Sequence, residues 1–188
     1  MDLVIKATHF AAEKHHSQRR KNKDKDPYIN HPIHVASLLS EANVNDHNTI
    51  CAALLHDTVE DTDATYEEIV NEFGEKIADI VMEVTDDKSL PKVERKKLQI
   101  EHAKNISDEA KLVKICDKYS NLHAIKQDPP ANWSPEICHG YAVWCYAVCE
   151  NLFGINPKLD TLLKDLFKEL QVSADNLQQQ LEAYYNLI

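Results

Sequence analysis

Four ionisable side chains crowd one short stretch of this chain. AALLHDTVEDT sets His56 and Asp57 side by side at the end of an apolar run, with Glu60 and Asp61 one helical turn further on. Residues three and four apart share a helix face, so Glu60 stands over the His56/Asp57 edge. Acids gathered at a helix C-terminus, itself partially negative, repel one another and raise their own pKa values, and a bound divalent cation resolves that conflict. An isolated His-Asp pair is weak evidence, because an acidic loop such as Thr58 to Asp63 usually just turns into water. Two further residues strengthen it. YINHP puts His31 at the start of a helix, and LVKICDKYSNL puts Asp117 inside one, beside its apolar stripe, with the Asn121 amide four residues on in the same direction. His31, His56, Asp57 and Asp117 then make a two-nitrogen, two-oxygen set, which suits Mn²⁺, Fe²⁺ or Zn²⁺ better than Mg²⁺ or Ca²⁺, ions that prefer oxygen alone. An octahedral ion held by four protein atoms keeps two positions open. Hydrolysis needs that vacancy, because a metal lowers the pKa of bound water from about 15.7 toward neutrality and holds a phosphoryl oxygen beside it.

The elements that must bring these residues together read almost entirely at helical period. Leu3, Ala7, Phe10, Ala11 and Lys14 line one stripe; Tyr66, Ile69, Val70, Phe73, Ile77, Ile80, Val81 and Val84 line a longer one. Thr65 with Glu68 forms a capping box, and Ser134-Pro135 and Asn156-Pro157 place a cap before a first-turn proline. The pattern predicts an all-α bundle of about eight helices, near residues 2–21, 31–42, 46–59, 65–85, 91–105, 108–126, 135–153 and 157–171, plus a ninth from about 173 to the end. The polar, proline-containing loops Asn22 to Tyr28 and Gln127 to Trp133 are too short to be domain linkers.

Composition narrows the function. A chain of 188 residues suits one domain with a buried core. Its 3 glycines are isolated, so no glycine-rich phosphate loop exists and Rossmann and P-loop sites are excluded. A formal charge of -10 repels nucleic acid polymers. The cationic groups Arg19, Arg20, Lys21, Lys23, Lys25 and Lys92, Arg95, Lys96, Lys97 read at face value as a solvated loop and an exposed helix face. Two such clusters on an acidic protein also polarise its surface enough to steer a small polyanion. The five cysteines contain no C-x-x-C pair; Cys138, Cys145 and Cys149 read as core residues, and a reducing, cytoplasmic location is expected. Neither a signal peptide nor a membrane span is expected. His34 and His123 lie near the candidate residues but read as surface or packed histidines.

The ordered segments QRRKNKDKDPYINHP, AALLHDTVEDTDAT, FGEKIADIVMEVTDDKSLPKVERKKLQ and AKLVKICDKYSNL, with Trp133, Tyr141 and Trp144 beyond them, resemble the HD-domain superfamily of metal-dependent phosphohydrolases. Within it the chain is similar to the hydrolase domain of RelA/SpoT proteins, and most of all to the small stand-alone animal form, the metazoan SpoT homologues. The resemblance runs over roughly residues 1–170, so residues 1–172 are expected to form the HD-type domain and 173–188 a C-terminal helical extension, packed on the domain or on a second copy in a homodimer. It implies a Mn²⁺ cofactor and removal of the 3′-pyrophosphate of guanosine tetraphosphate (ppGpp), the stringent-response nucleotide, with NADPH as a further substrate through its 2′-phosphate. By position it implies His31, His56, Asp57 and Asp117 as metal ligands and Glu60 and Asp61 as the pair that orients or deprotonates the attacking water. It implies Arg20, Lys21, Lys92, Asn121 and Tyr141 as contacts to the nucleotide. With no room for a synthetase domain, the chain is expected to degrade the nucleotide and not make it.

Two positions depart from that family. His123 and Ile137 stand where arginines are usual, and losing a charge-assisted phosphate contact costs about 1.5–3 kcal/mol. Chemistry survives such losses, while substrate preference shifts. The alternative expectation is a catalytically weak nucleotide-binding or sensor protein that keeps the fold and the metal.

Overall fold

The structure is a computed structural model and describes residues 2–188. Among these residues there are eleven helices and no strand: α1 (Asp2–Lys14), α2 (Asn30–Glu41), α3 (His47–Leu55), α4 (Thr58–Asp61), α5 (Tyr66–Phe73), α6 (Glu75–Val84), α7 (Lys92–His102), α8 (Asp108–Gln127), α9 (Pro135–Cys149), α10 (Pro157–Glu169) and α11 (Leu177–Tyr185). None is long and apolar enough to cross a membrane. The all-α expectation holds.

Small side chains decide the centre. Cys51, Ala52 and Ala53 of α3 are fully buried, and their short side chains let α1, α2, α6 and α8 approach closely around it. The long α8 touches α2, α3, α6, α9 and α10, so it is the second axis of the core. Capping follows the sequence: Thr65 accepts from the Glu68 amide, Ser134 from Ile137, and Asn156 from Lys158 and Leu159.

Four departures from the expected boundaries each have a local reason. The first helix stops at Lys14, not near residue 21, because the polar run from Ser17 to Asp26 has no apolar face to bury. It forms a tight loop instead, closed by an isolated Arg19–Pro27 bridge and an Arg20 amide to Asp26 carbonyl bond of 2.9 Å. The stripe expected as one helix over 65–85 is two, because Gly74 adopts φ +89, a conformation that ends α5 and starts α6. The apolar face continues through both: Ile69, Phe73, Ile77, Ile80, Val81 and Val84 are all buried. At 46–59 the helix ends at Leu55, where the Thr58 hydroxyl takes the Leu55 carbonyl at 2.7 Å and α4 begins. The last helix starts at Leu177, after a Ser173–Asp175 turn and Asn176 in the left-handed region.

That last helix lies on α9 of its own chain. Leu181 and Tyr184 face inward, and a Cβ at Gly140 would fall 2.5 Å from the Tyr184 ring, so only glycine allows this approach. Cys145 and Cys149 are buried core thiols, and all five cysteines are free.

Candidate functional site

Three helical segments meet where the sequence placed its polar residues. His31 opens α2, His56 and Asp57 fill the joint between α3 and α4, and Asp117 sits mid-α8. One ligand atom each from His31, His56 and Asp117 lies within 4.8 Å of the other two. Asp57 Oδ2 joins them at 3.1 Å from His56 Nε2 and 3.7 Å from His31 Nε2, while Asp117 Oδ1 stands 3.1 Å from His31 Nε2 and 3.8 Å from His56 Nε2. Adjacent ligands about 2.1 Å from one ion stand about 3 Å apart, so these spacings match the near edges of a coordination shell.

The donor chemistry fits a cation. His56 Nδ1 donates to the Ala53 carbonyl at 2.8 Å, which leaves the lone pair on Nε2, and that nitrogen is buried with no hydrogen-bond partner. His31 Nδ1 is bonded to Ser120 Oγ at 3.0 Å, fixing its ring as well. Burial pushes the His31 imidazole down toward neutrality. Burial would do the same to His56, but Asp57 and Asp117 outweigh it and raise that imidazole well above its usual range. Both carboxylates resist burial and stay ionised, Asp57 held low by His56 and Asp117 by Lys118 and His31. Two buried anions around one orphaned nitrogen call for positive charge, which a proton or a divalent metal supplies. The buried His/His/Asp group therefore suits a divalent metal.

A second layer holds the first. The Tyr28 hydroxyl donates to Asp57 Oδ2 at 2.6 Å, Lys118 Nζ pairs with Asp117 Oδ2 at 2.9 Å, and the Asn121 amide donates to Asp117 Oδ1 at 2.6 Å. Arg20 in turn donates to Asn121 Oδ1 at 2.8 Å. The His15 ring lies 4.9 Å from the Tyr28 ring, and its Nδ1 is bonded to Gln18, whose amide donates to Asp61 Oδ2 at 2.9 Å. Lys88 also pairs with Asp61.

Beside this centre lies a chamber of about 230 Å³, lined by His56, by the acids Asp57, Glu60, Asp61, Asp86 and Asp117, and by the cations Lys92, Arg95, Lys96, Lys114 and Lys118. Burial, with Asp86 and Asp57 nearby, pushes the Glu60 carboxyl up to about 7. Its Oε2 accepts the Asp86 amide at 3.1 Å. A larger pocket of about 540 Å³ adjoins the chamber through Tyr28, Asp61, Asn121 and Tyr141, and draws Arg19, Arg20 and Lys21 from the loop after α1 and Trp133 from the loop before α9. Of the residues expected at a nucleotide, Arg20 and Lys21 line the outer pocket, Lys92 the chamber, and Asn121 and Tyr141 both.

Several site residues escape a reading by sequence. Lys96, expected on an exposed helix face, turns inward with Nζ 3.4 Å from the Trp144 ring centre, and burial takes its ammonium down to about 7. Lys114 and Lys118 are buried on α8, and His15, Tyr28 and Ser120 each hold a site group. Only the Lys-x-x-x-Lys spacing on the apolar face of α8 hints at two of these. His34 bonds Ser120 Oγ at 2.9 Å, behind the site, and His123 stacks on Tyr119. Neither His123 nor Ile137 lines the chamber or the outer pocket.

The HD domain family model matches residues 7–140. The chain is 50% identical over 168 residues to guanosine-3′,5′-bis(diphosphate) 3′-pyrophosphohydrolase MESH1 of Xenopus tropicalis, covering 89% of this chain and 94% of that one. It is 48% identical over 167 residues to the human protein of the same name, covering 88% and 93%. A solved structure described as a metazoan orthologue of SpoT that hydrolyses ppGpp superposes with a TM-score of 0.88 at 44% identity, over 90% of this chain and 96% of that one.

Proposed function

This chain belongs to the HD-domain family and is a phosphohydrolase of the kind its RelA/SpoT-related members represent, and from that premise we propose that it removes the 3′-diphosphate of guanosine tetraphosphate with Mn²⁺ as its cofactor. The 2′-phosphate of NADPH is the second substrate in this proposal. Residues 1–172 are assigned to the hydrolase domain and 173–188 to the helical extension, in a cytoplasmic protein. One observation carries the reading: the orphaned His56 Nε2 lies among His31, Asp57 and Asp117 beside a chamber that Lys92, Arg95, Lys96, Lys114 and Lys118 also line. Mn²⁺ suits that mixed nitrogen and oxygen set.

His31, His56, Asp57 and Asp117 would hold the ion, which supplies Lewis acidity toward a phosphoryl oxygen and acidifies water when bound. Tyr28, Lys118 and Asn121 keep the two carboxylates aimed inward. Glu60 suits the general base, because a carboxyl near 7 accepts a proton at neutral pH without being tied up by a cation. Asp61, bonded to Gln18 and Lys88, is the positioning member of the pair. Arg20, Lys21 and Asn121 hold the nucleotide in the outer pocket, Tyr141 lines the passage to the chamber, and Lys92 meets phosphate. The water oxygen bonds to the phosphorus attached to the ribose 3′ oxygen, and Glu60 takes the water proton. The phosphorus–ribose oxygen bond breaks, and that oxygen keeps the electron pair and acquires a proton. The products are guanosine 5′-diphosphate and pyrophosphate.

Purified protein loaded with Mn²⁺ should release pyrophosphate from guanosine tetraphosphate and, in a parallel assay, phosphate from NADPH. Release of neither would overturn the reading, and the ratio of the two turnovers ranks the substrates.

A further inference from the structure

Ser120 on α8 is a buried hydroxyl shared by two imidazoles. Its Oγ lies 3.0 Å from His31 Nδ1 and 2.9 Å from His34 Nδ1, two rings that stand one turn apart on α2. A hydroxyl donates one hydrogen and accepts at its lone pairs, so Ser120 cannot donate to both rings. Elsewhere in the chain the hydroxyls of Thr8, Thr62, Thr85 and Thr161 each donate to the carbonyl four residues back. The Ser120 hydroxyl is bonded to the imidazoles instead.

The centre sets the direction of these bonds. His31 can hold a cation only through a bare Nε2, so its hydrogen belongs on Nδ1, and Ser120 Oγ accepts it. The Ser120 hydrogen then goes to the other ring. His34 Nδ1 is therefore an acceptor, which puts the His34 hydrogen on Nε2. Burial, and after it the neighbouring His123, push the His34 imidazole down, and a neutral ring is what an acceptor requires. His123 faces it from α8 with ring centres 6.2 Å apart.

We propose that His34 is a positioning residue for the metal centre: it accepts the Ser120 hydrogen, Ser120 accepts the His31 hydrogen, and this one-way chain locks His31 in the tautomer that presents Nε2. The inference rests on His31 as a metal ligand in the hydrolase reading and deepens that reading by two bonds away from the ion. No nucleotide group takes part, so the effect falls on metal retention. A histidine that merely filled space would have no fixed tautomer and would act independently of Ser120.

The test uses the full chain loaded with Zn²⁺, a diamagnetic probe. Imidazole nitrogen NMR of the wild type should place the His34 hydrogen on Nε2 and the His31 hydrogen on Nδ1. By calorimetry, Ser120→Ala should weaken Zn²⁺ binding roughly tenfold to a hundredfold, and His34→Leu roughly threefold to tenfold, because Ser120 still accepts from His31 but loses its own acceptor. Adding His34→Leu to Ser120→Ala should change little more, since His34 acts only through that hydroxyl. His34→Asn, whose amide oxygen can take the place of Nδ1, should restore most of the loss. Thermal melting identifies any variant that fails to fold, and the NMR reading on the wild type needs no variant. A His34 hydrogen on Nδ1 in the Zn²⁺-loaded wild type overturns the chain. So does an unchanged Zn²⁺ affinity in folded His34→Leu, or a His34→Leu loss that repeats in full on the Ser120→Ala background. A wild type that shows the His34-dependent Zn²⁺ binding yet hydrolyses no guanosine tetraphosphate overturns the functional reading and leaves the chain standing.

Discussion

The metal-side centre and the outer pocket meet through a chamber that shares Tyr28, Asp61, Asn121 and Tyr141 with that pocket, yet centre and pocket are built in opposite ways. Each of the four residues at the centre is held by a second group: His31 by Ser120, His56 by the Ala53 carbonyl, Asp57 by Tyr28, Asp117 by Lys118 and Asn121. The outer pocket takes much of its charge from the loop between α1 and α2, where Arg19 bonds nearby carbonyls and Asn22 bonds Asp26, all solvent-facing. Of its cationic side chains, Arg20 is tied across to the core, through Asn121. Buried ionic groups cost a great deal unless every partner is in place, so the centre is over-determined. Exposed charges cost little and adapt, so the pocket proposed to read the nucleotide is loosely held. The chemistry is thus fixed and the recognition adjustable.

Breaking the centre should have the largest effect. His56→Gln should abolish metal retention and activity together, while guanosine 5′-diphosphate binding changes less than about threefold if the outer pocket is independent; elemental analysis and calorimetry check both halves. Glu60→Gln should keep the metal and lower kcat by roughly a hundredfold to ten-thousandfold. The sign with pH follows from its raised value: Glu60 accepts a proton only when ionised, so kcat/KM rises with pH up to about 7 in the wild type, and that limb disappears in the variant. A nearby bound cation moves the limb lower, never higher.

Arg20→Ala separates the two regions more finely. It removes the charged link between them, and should raise KM roughly tenfold to a hundredfold, the equivalent of about 1.5–3 kcal/mol, with kcat nearly kept. A fall in kcat as large as the rise in KM would show that Asn121 needs Arg20 to position Asp117. Gly140→Ala acts from behind the site, forcing Tyr184 away from α9, and should cost about 1–3 kcal/mol in thermal or denaturant unfolding. The smallest effect is expected from salt. Raising ionic strength from about 0.1 to 1 M, which shortens the screening length from about 10 to 3 Å, should weaken nucleotide binding severalfold through the exposed cations and leave metal retention unchanged.

Much of the helical architecture is legible because a helix announces its buried face by period. The Tyr66 to Val84 stripe is buried much as it reads; what the period cannot reveal is that Gly74 cuts it in two, since an apolar face continues unbroken through a positive-φ glycine. Likewise Ser17 to Lys21 reads as the tail of a helix, because the chain's charge there does not disclose that its backbone bonds to itself across the Arg19–Pro27 bridge. At the site, His31, His56, Asp57 and Asp117 stand out by type and helical placement, and the fold brings their side chains together. Lys96 does not stand out, because a lysine among lysines on a polar helix reads as solvated until Trp144, Tyr141 and Tyr184 are seen around it.

By itself, then, the sequence determined most of the helices and the apolar face of each, because helical period and capping act over a few residues. The tertiary structure alone decided the electrostatics. Arg20 meets Asn121 across 101 residues and His31 meets Ser120 across 89, while the Lys96 cage joins α7, α9 and α11. Desolvation and Coulomb terms depend on distance through space, so the raised Glu60, the unprotonated His31 and the unpaired Lys114 exist only once those distant segments are packed against one another.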